Sequence, residues 1–320
     1  MSSALMETAE LACHTPGMVR PVDDPVVAVV GPTATGKSEL GVALAHALGG
    51  EVVSADASQL YRGMDIGTAK LPAGRRRGVA HHQIDVLEVS EEASAAAYQR
   101  NARADVQAIR DRGARPVVVG GSGLYVRALL DRLDIPPTDP RVRAHWEQRL
   151  TEVGAPALHQ LLAPRDPVAA AQIDPRNGRR LVRALEVIDV TGRPFSASMP
   201  TREFAQPAVM IGLAADRSLL DRRIEHRVRL MWNGGLLAEV SRLDEAGLRE
   251  GSTANRAVGY RQALAHLDGH LSDEQAQQDT IAATRKLARR QSSWFGADPR
   301  VRWLPHDAPD LLERALAELR

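Results

Sequence analysis

The chain has 320 residues, of which 44% are apolar and 25% are charged, and its formal net charge is +1. This length is sufficient for one large domain, or for a core domain that carries a smaller one, each with a buried interior. The near-neutral total predicts no general affinity for nucleic acid or anionic membranes, although it would hide a local basic patch.

Residues 1–25 contain acidic residues and prolines but no apolar run, which predicts a disordered tail and no signal peptide. The only cysteine, Cys13, lies in this tail, so disulfides within the chain and zinc sites built on cysteine pairs are excluded. No stretch of about 18 apolar residues occurs, which argues against a membrane-spanning segment. These features together predict a cytoplasmic protein with no membrane contact.

From residue 26 onward, short valine-rich runs alternate with longer amphipathic runs. The short runs predict buried parallel strands over Val26–Val30, Glu51–Ser54 and Pro116–Val119. The longer runs predict helices over Lys37–Leu48 and Ala93–Arg112. Strand and helix in this alternation predict an α/β fold whose core is a P-loop-type, doubly wound parallel sheet.

The periodicity changes after Pro136-Pro137, where helical patterns continue without a convincing strand. The predicted helices of this part are Pro140–Val153, Pro156–Leu162 and Asn177–Thr191. We therefore predict a mainly helical insertion domain over 138–199, inside a core that consists of 26–137 and 200–310.

The second part of the core begins with a predicted strand over Val209–Ala214. Long helices are predicted to follow at Arg217–Trp232 and Ser272–Phe295. Ser272 and Gln275 form a capping-box pattern at the start of the last of these helices. The pair His81-His82 has no cysteine or acid at metal-ligand spacing, so we interpret it as ordinary loop or surface histidine.

The segment that follows the first predicted strand is Gly31-Pro32-Thr33-Ala34-Thr35-Gly36-Lys37-Ser38. Its glycines let the backbone wrap so that several N–H groups point at one anion, and the helix behind it adds its positive end. Lys37 supplies a mobile positive charge, and Ser38 supplies a hydroxyl suited to Mg²⁺. Because a strand precedes the motif and a helix follows it, we predict a phosphate-binding loop with Mg²⁺ as cofactor.

The phosphate-binding loop does not by itself identify the ligand. ATPases and GTPases usually hold their metal with an acid at the end of another apolar strand, but the strand at 115–119 ends in Gly120-Gly121-Ser122-Gly123. The strand at 51–54 does lead to an acid, Asp56, and polar residues suited to gripping a second substrate follow it. A small-molecule kinase can be built in this way too, so the motif alone leaves the use of ATP open.

Several segments, taken together and in order, resemble the tRNA dimethylallyltransferases. The matching segments are GPTATGKS (31–38), SADASQLYRGMDIGTAK (54–70), RPVVVGGSGLYVRALL (115–130), RRLVRALEVIDVTGRP (179–194), RIEHRVRLM (223–231), RAVGYRQAL (256–264) and ATRKLARRQSSWF (283–295). DIGTAK, VGYRQ and TRKLARRQ are not generic patterns. The resemblance implies transfer of a dimethylallyl group from dimethylallyl diphosphate to N6 of adenosine 37 in tRNA, beside the anticodon, by a monomeric enzyme that releases diphosphate.

The resemblance also implies roles for single residues. It implies that the loop at 31–38 binds the diphosphate of the isoprenyl donor and that no ATP is consumed. It implies Asp56 as the base that accepts the N6 proton, Thr33 as a contact to donor and base, and Arg227 as the arginine that binds the departing diphosphate. By residue type alone, Asp56 also suits a helix cap, Thr33 a packed position in the loop, and Arg227 a solvated helix face.

Further residues are predicted to contact tRNA, because they match the family's motifs or lie on basic helical faces. On the last long helix, Arg285 with Arg289 and Lys286 with Arg290 repeat at a spacing of four. Tyr260 either stacks on RNA or packs internally. The predicted set is Asp56, Ala57, Ser58, Gln59, Ser122, Arg143, Arg179, Arg180, Arg183, Arg256, Gly259, Tyr260, Arg261, Arg289, Arg290 and Trp294.

Three other functions are weighed against this interpretation. A small-molecule kinase would hold ATP in the same loop, but it leaves the basic helices without a role. An adenylate isopentenyltransferase would prenylate free AMP, which needs neither a helical insertion nor a basic surface. An RNA-binding protein whose loop senses a nucleotide would not need Asp56 beside the phosphates.

Overall fold

The computed structural model describes residues 24–198 and 201–320. The predicted tail lies outside this range except for its last two residues, of which Asp24 forms an ion pair with Arg115. In the described ranges, strands pair into one sheet in the order β3-β2-β4-β1-β5-β6. The strands are β1 Val26–Val30, β2 Gly50–Ser54, β3 His81–His82, β4 Arg115–Gly120, β5 Ala208–Ala214 and β6 Val301–Pro305.

The helices of the described residues cover both faces of this parallel sheet and form the insertion. They are α1 Lys37–Leu48, α2 Ala95–Asp111, α3 Gly123–Leu130, α4 Pro140–Leu162, α5 Pro167–Gln172, α6 Gly178–Thr191, α7 Arg217–Asn233, α8 Leu236–Glu245, α9 Tyr260–Leu267, α10 Asp273–Gly296 and α11 Leu311–Ala317. The predicted α/β class with a doubly wound parallel core is confirmed.

Strand β1 is the centre of the sheet, with β4 on one side and β5 on the other, both parallel to it. All five residues of β1 are 0% exposed, since helices cover the sheet on both faces. Val27 pairs with Val117 in β4 and with Val209 in β5. In a parallel sheet, the carboxyl ends of the strands meet at the same edge. The segments after β1, β2 and β4 therefore converge at one place.

The insertion has its own apolar core. Helices α4, α5 and α6 bury a cluster that includes Trp146, Leu158, Leu162, Leu181 and Leu185. Gly154, whose φ is +79°, breaks the helical path inside α4, between the two helices predicted there. The short helix α5 was not predicted. The division into domains remains a prediction, and residues 199–200 at its boundary lie outside the described ranges.

Both edges of the sheet differ from the prediction, and helices α3, α8 and α9 were not predicted either. His81-His82 is not a loop but the short edge strand β3, which pairs with β2 at Val52 and Val53. At the other edge, β6 was not predicted, and α11 packs beyond it through Leu311 and Leu312 into the same cluster as Leu44 of α1. The core therefore continues past residue 310, where its predicted end lay.

Helix boundaries follow the local signals in the sequence. Helix α1 spans the predicted residues and is followed by Gly49, whose left-handed φ of +60° ends it. Ser272 and Gln275 form the predicted capping box of α10, in which each side chain accepts a hydrogen bond from the other residue's N–H. Among the helices of the described residues, none combines the length and the apolar character needed to cross a membrane.

The end of β4 offers a test of how tightly the loops are packed. A methyl group at Gly120 would lie 2.2 Å from the Ala55 carbonyl oxygen, which is backbone and cannot turn away. We expect Gly120→Ala to lower the free energy of unfolding by about 1–3 kcal/mol, measured by urea denaturation. Gly296→Ala is the matched control, because nothing lies within 4 Å of its added methyl. Equal stability of the two variants would contradict this close packing.

Candidate active site

The predicted phosphate-binding loop joins β1 to α1 and turns back on itself. Gly31, Ala34 and Gly36 have φ values of +129°, +66° and +91°, so three of its residues turn the backbone sharply. The Thr35 hydroxyl donates to the Pro32 carbonyl at 2.9 Å, and Lys37 Nζ donates to the same carbonyl at 2.6 Å. The loop is therefore a compact ring of backbone at the N-terminal end of α1.

A cavity of about 270 Å³ opens beside this loop. Its walls come from the loop and the first turn of α1, from the ends of β2 and β4, from residues 68–72, and from α7. Of the predicted diphosphate-binding residues, Gly31, Pro32 and Thr35 are buried behind the wall. The predicted residues that line the cavity are Thr33, Ala34, Gly36, Lys37, Ser38, Asp56, Gln59 and Arg227. All three predicted catalytic residues thus face one cavity.

Asp56 follows β2 and is held by backbone and side-chain hydrogen bonds. Its Oδ1 accepts from the Ser58 N–H at 3.0 Å, and the next N–H, that of Ala57, donates to Ser122 Oγ at 3.1 Å. Burial raises the pKa of the Asp56 carboxyl above its ordinary value, while the Ser58 N–H and the charge of Lys37 oppose the rise. This carboxylate is thus a stronger base than an exposed aspartate.

Lys37 and Arg227 are two of the positive side chains that line the cavity with Asp56. Burial lowers the pKa of Lys37 to about 8, with Asp56 opposing the change and Arg227 adding to it. Burial also lowers the pKa of Arg227, which lies on α7. Two other cations of the lining are already paired, Lys70 with Asp65 and Arg75 with Glu39. Asp56 neutralises one of the remaining two, so the cavity keeps an excess of positive charge beside the backbone ring. Such an arrangement suits an anionic ligand.

The remaining wall of the cavity is fixed by polar contacts. Ser54 Oγ donates to Gln59 Oε1, and Gln59 Nε2 donates to the Thr68 carbonyl, both at 3.2 Å. Lys70, which also lines the cavity, is buried and donates to Asp65 Oδ1 at 2.9 Å. Gln59 and Thr68 therefore connect the end of β2 to the segment that carries Lys70.

The predicted RNA contact of Tyr260 is wrong for its side chain. Tyr260 is 0% exposed, and its hydroxyl donates to Glu239 Oε1 at 2.6 Å. Glu239 also accepts from the backbone N–H groups of residues 65–67. Tyr260 therefore stabilises that turn indirectly, through its hydrogen bond to Glu239. Gly259 is buried as well, and its N–H donates to Gln262. Arg256 and Arg261, predicted with them, are exposed.

Comparisons with known proteins agree with this arrangement. The family model described as IPP transferase matches residues 59–298. A protein named tRNA dimethylallyltransferase from Thermobifida fusca is 57% identical over 297 residues, which is 91% of this chain and 93% of the relative. Another of that name from Kocuria rhizophila is 59% identical over 286 residues, covering 89% and 91% of the two chains. The chain belongs to the IPP transferase family.

Solved structures of the family have the same fold. The full-length tRNA isopentenylpyrophosphate transferase from Bacillus halodurans matches with a TM-score of 0.67 and 38% identity, over 93% of this chain and 97% of that one. A eukaryotic dimethylallyltransferase, described as acting on tRNA, matches with a TM-score of 0.79 and 25% identity, over 92% and 78% of the two chains. The likeness therefore includes the insertion as well as the core.

A second concave surface, which we call the basic groove, lies along the last turns of α10. Its volume is about 580 Å³, and its lining residues are Arg127, Arg202, Lys286, Arg289, Arg290, Ser293, Trp294, Ala297 and Asp298. The Trp294 side chain is 45% exposed, and the Arg127 guanidinium lies 6.0 Å from its ring centroid. The groove thus gathers three predicted tRNA contacts: Arg289, Arg290 and Trp294.

Not every predicted basic residue faces solvent. Arg285, which forms a helical row with Arg289 in the sequence, lies against α7, where it is about one-third exposed and donates to Glu225 at 3.1 Å. Sequence patterns missed Arg127 and Arg202, because they come from α3 and from the loop before β5 and join α10 only in the fold. Arg127 is included in the segment 115–130, but spacing within that segment does not indicate its role.

The arginines of the insertion that were predicted to contact tRNA lie on α4 and α6, outside the basic groove. Arg143 and Arg183 both donate to Glu186, which is 0% exposed, at 2.7 and 2.8 Å. Burial alone would raise the pKa of Glu186, but hydrogen bonds from Thr138 and Arg183 hold it below its ordinary value. Arg183 also donates to the carbonyls of Pro136 and Pro137, where the chain enters the insertion. Arg179 and Arg180 are exposed.

The charges in the cavity should respond to one another. Among the charged neighbours of Lys37, Asp56 has the strongest effect, and it keeps the lysine pKa from falling further. We expect Asp56→Asn to lower the pKa of Lys37 below about 8, measured by NMR titration of its side chain. Glu39→Gln removes a weaker influence of the same sign and should shift the pKa less. An unchanged Lys37 pKa in Asp56→Asn would contradict this coupling.

Proposed function

We propose that this chain is a tRNA dimethylallyltransferase, which transfers the dimethylallyl group of dimethylallyl diphosphate to N6 of adenosine 37 in tRNA and releases diphosphate. The observation that carries the proposal is the meeting of Asp56, Lys37 and Arg227 at one cavity beside the backbone ring. One carboxylate next to two cations suits a reaction in which an amine loses a proton while an anionic group departs. Relatives more than half identical to this chain are named for that reaction.

The donor side of the reaction uses the loop at 31–38. Its N–H groups, Lys37 and Arg227 bind the diphosphate and stabilise the negative charge that develops as the allylic C–O bond breaks. The allylic carbon shares its developing positive charge with the neighbouring double bond, so a weak nucleophile is sufficient. Thr33 lines the same cavity, which supports a contact from this residue to the donor and the base.

The acceptor side of the reaction uses Asp56. Its carboxylate accepts a hydrogen bond from the adenine N6–H, which orients the amine toward the allylic carbon. As the N6–C bond forms and the C–O bond breaks, the N6 proton passes to Asp56 and the electron pair leaves with the diphosphate. The raised pKa of Asp56 favours this step, because proton transfer is most efficient when the base titrates near the working pH.

Magnesium fits the site as a partner of the donor rather than as an ion caged by the protein. No cluster of three His, Cys, Asp or Glu side chains able to hold a metal occurs in ranges 24–198 and 201–320. Ser38 lines the cavity in the first turn of α1 and would supply a hydroxyl ligand. Mg²⁺ usually has few protein ligands and completes its shell with phosphate oxygens and water. When bound, the ion would neutralise part of the diphosphate charge.

The tRNA side of the proposal is supported by the position of the basic groove. Trp294 in the groove packs against Gly123, whose added methyl would lie 2.1 Å from the indole nitrogen. Gly121, two residues earlier, lines the cavity, so the groove and the cavity adjoin. An anticodon loop has unpaired bases that can leave the stack, and a flipped adenine reaches an enclosed site in this way.

Two further parts of the proposal concern the state of the protein. The single cysteine supports a reducing, cytoplasmic compartment. The resemblance to the family supports a monomer.

The proposed reaction is tested by a transfer assay without ATP. Protein, Mg²⁺, labelled dimethylallyl diphosphate and a tRNA with A36-A37 should give N6-prenylated adenosine after digestion. We expect Asp56→Asn to lower kcat/KM by about 10²- to 10⁴-fold, since it removes the base. Asp279→Asn, on an exposed position of α10, is the matched control and should have no effect. Product on free AMP, or product only with ATP, would contradict the proposal.

The pH dependence gives a second test. For the free enzyme, kcat/KM should rise as Asp56 loses its proton and fall as Lys37 loses its own near pH 8, which gives a bell-shaped profile. The sign follows from the roles: the base must be deprotonated and the diphosphate-binding lysine must be protonated. Lys37→Arg keeps its charge throughout this range, so the fall near pH 8 should disappear, even if the maximum is lower. A fall that persists in Lys37→Arg would exclude Lys37 as its source.

A further inference from the structure

Gln291, on α10, connects two loops that the sequence keeps far apart. Its Oε1 accepts a hydrogen bond from the Thr33 N–H at 2.8 Å, and its Nε2 donates to the Gly121 carbonyl at 3.0 Å. The residue is 9% exposed and is not among the residues that line the cavity or the basic groove. One buried amide therefore joins the phosphate-binding loop to the end of β4.

Each end of this bridge leads to one side of the proposed reaction. Thr33 belongs to the loop that binds the donor diphosphate. On the other side, Gly121 is followed by Ser122, whose Oγ accepts from the Ala57 N–H and whose N–H donates to the Ala55 carbonyl. These two bonds flank Asp56 in the chain. The Gln291 amide is thus coupled to the donor loop by one hydrogen bond and to the base through the backbone of residues 121–122.

We propose that Gln291 is a positioning residue that sets the spacing between the donor loop and the acceptor base. This inference rests on the proposed transfer reaction, since that reaction requires the allylic carbon and N6 to be aligned. An amide is suited to the task because it accepts with one end and donates with the other, as the Thr33 N–H and the Gly121 carbonyl require. There is no space for a side chain at residue 121, because a methyl group added to Gly121 would lie 2.3 Å from Gln291 Nε2.

The place of Gln291 on α10 also connects the cavity to the basic groove. Arg290 precedes it, and Trp294 lies three residues later, almost one helical turn away. Both of these neighbours line the groove. The helix that offers its surface to tRNA therefore holds the catalytic loops directly, through a side chain that bonds two cavity-lining residues but is itself exposed in neither the cavity nor the groove.

The test is steady-state kinetics on the full chain with Gln291→Met, which removes both hydrogen bonds at nearly constant volume. We expect kcat to fall about 10- to 100-fold while the KM of each substrate changes less than about threefold, because a small misalignment slows reaction more than binding. Gln278→Leu, at an exposed glutamine of the same helix, is the matched control and should behave as wild type. Circular dichroism gives the folded fraction, so kcat is referred to folded protein.

A second variant keeps the inference testable if Gln291→Met does not fold. Gln291→Glu retains the shape and the acceptor for the Thr33 N–H but sets an oxygen against the Gly121 carbonyl, so kcat should fall here too. Unchanged kcat in the folded variants, with active wild type, would overturn the role of Gln291 and leave the proposed function standing. A raised KM for dimethylallyl diphosphate at unchanged kcat would assign Gln291 to binding and also overturn it. Inactive wild type would overturn the proposed function and, with it, this role.

Discussion

The parallel register of β1, β2 and β4 is the constraint on which the site depends. Buried valines align these strands, and the hydrogen-bond pattern continues past their ends, where the Ala55 N–H donates to the Val119 carbonyl and the Ser122 N–H to the Ala55 carbonyl. The segments after β2 and β4 are therefore extensions of the sheet rather than free connections. Asp56 and the phosphate-binding loop therefore have fixed positions because they are attached to an apolar core that takes no part in the chemistry.

The electrostatics of the cavity follow from this enclosure. Burial disfavours every charged form, and it moves the pKa of Lys37 and the pKa of Asp56 toward each other. The same low polarity strengthens the attraction between the Lys37 charge and an entering anion. While no ligand is bound, the buried charges of this site lower the stability of the fold. The apolar packing around β1 offsets this loss. Function and stability thus draw on the same valine-rich strands.

The sequence predicted the centre of the fold well because central strands and their helices carry strong local signals. Val26–Val30 and Lys37–Leu48 have the predicted limits, set by a valine run and by glycines. The edge strands carry weaker signals: β3 is two histidines, and β6 ends in proline. The three predicted catalytic residues do share a cavity. The burial of Tyr260 and the bridge from Gln291 to Thr33, 258 residues away, depend on tertiary contacts that no local pattern contains.

The buried Glu186 changes how the positive charge of the insertion should be counted. It shares its charge between Arg143 and Arg183, so the three side chains together carry about one positive charge rather than two. Release of condensed counterions from RNA depends on the charge that actually reaches the phosphates. The insertion is therefore a weaker polyelectrolyte partner than its arginine content implies, and the charge of Arg183 is used instead to hold α6 to the segment through which the insertion joins the core.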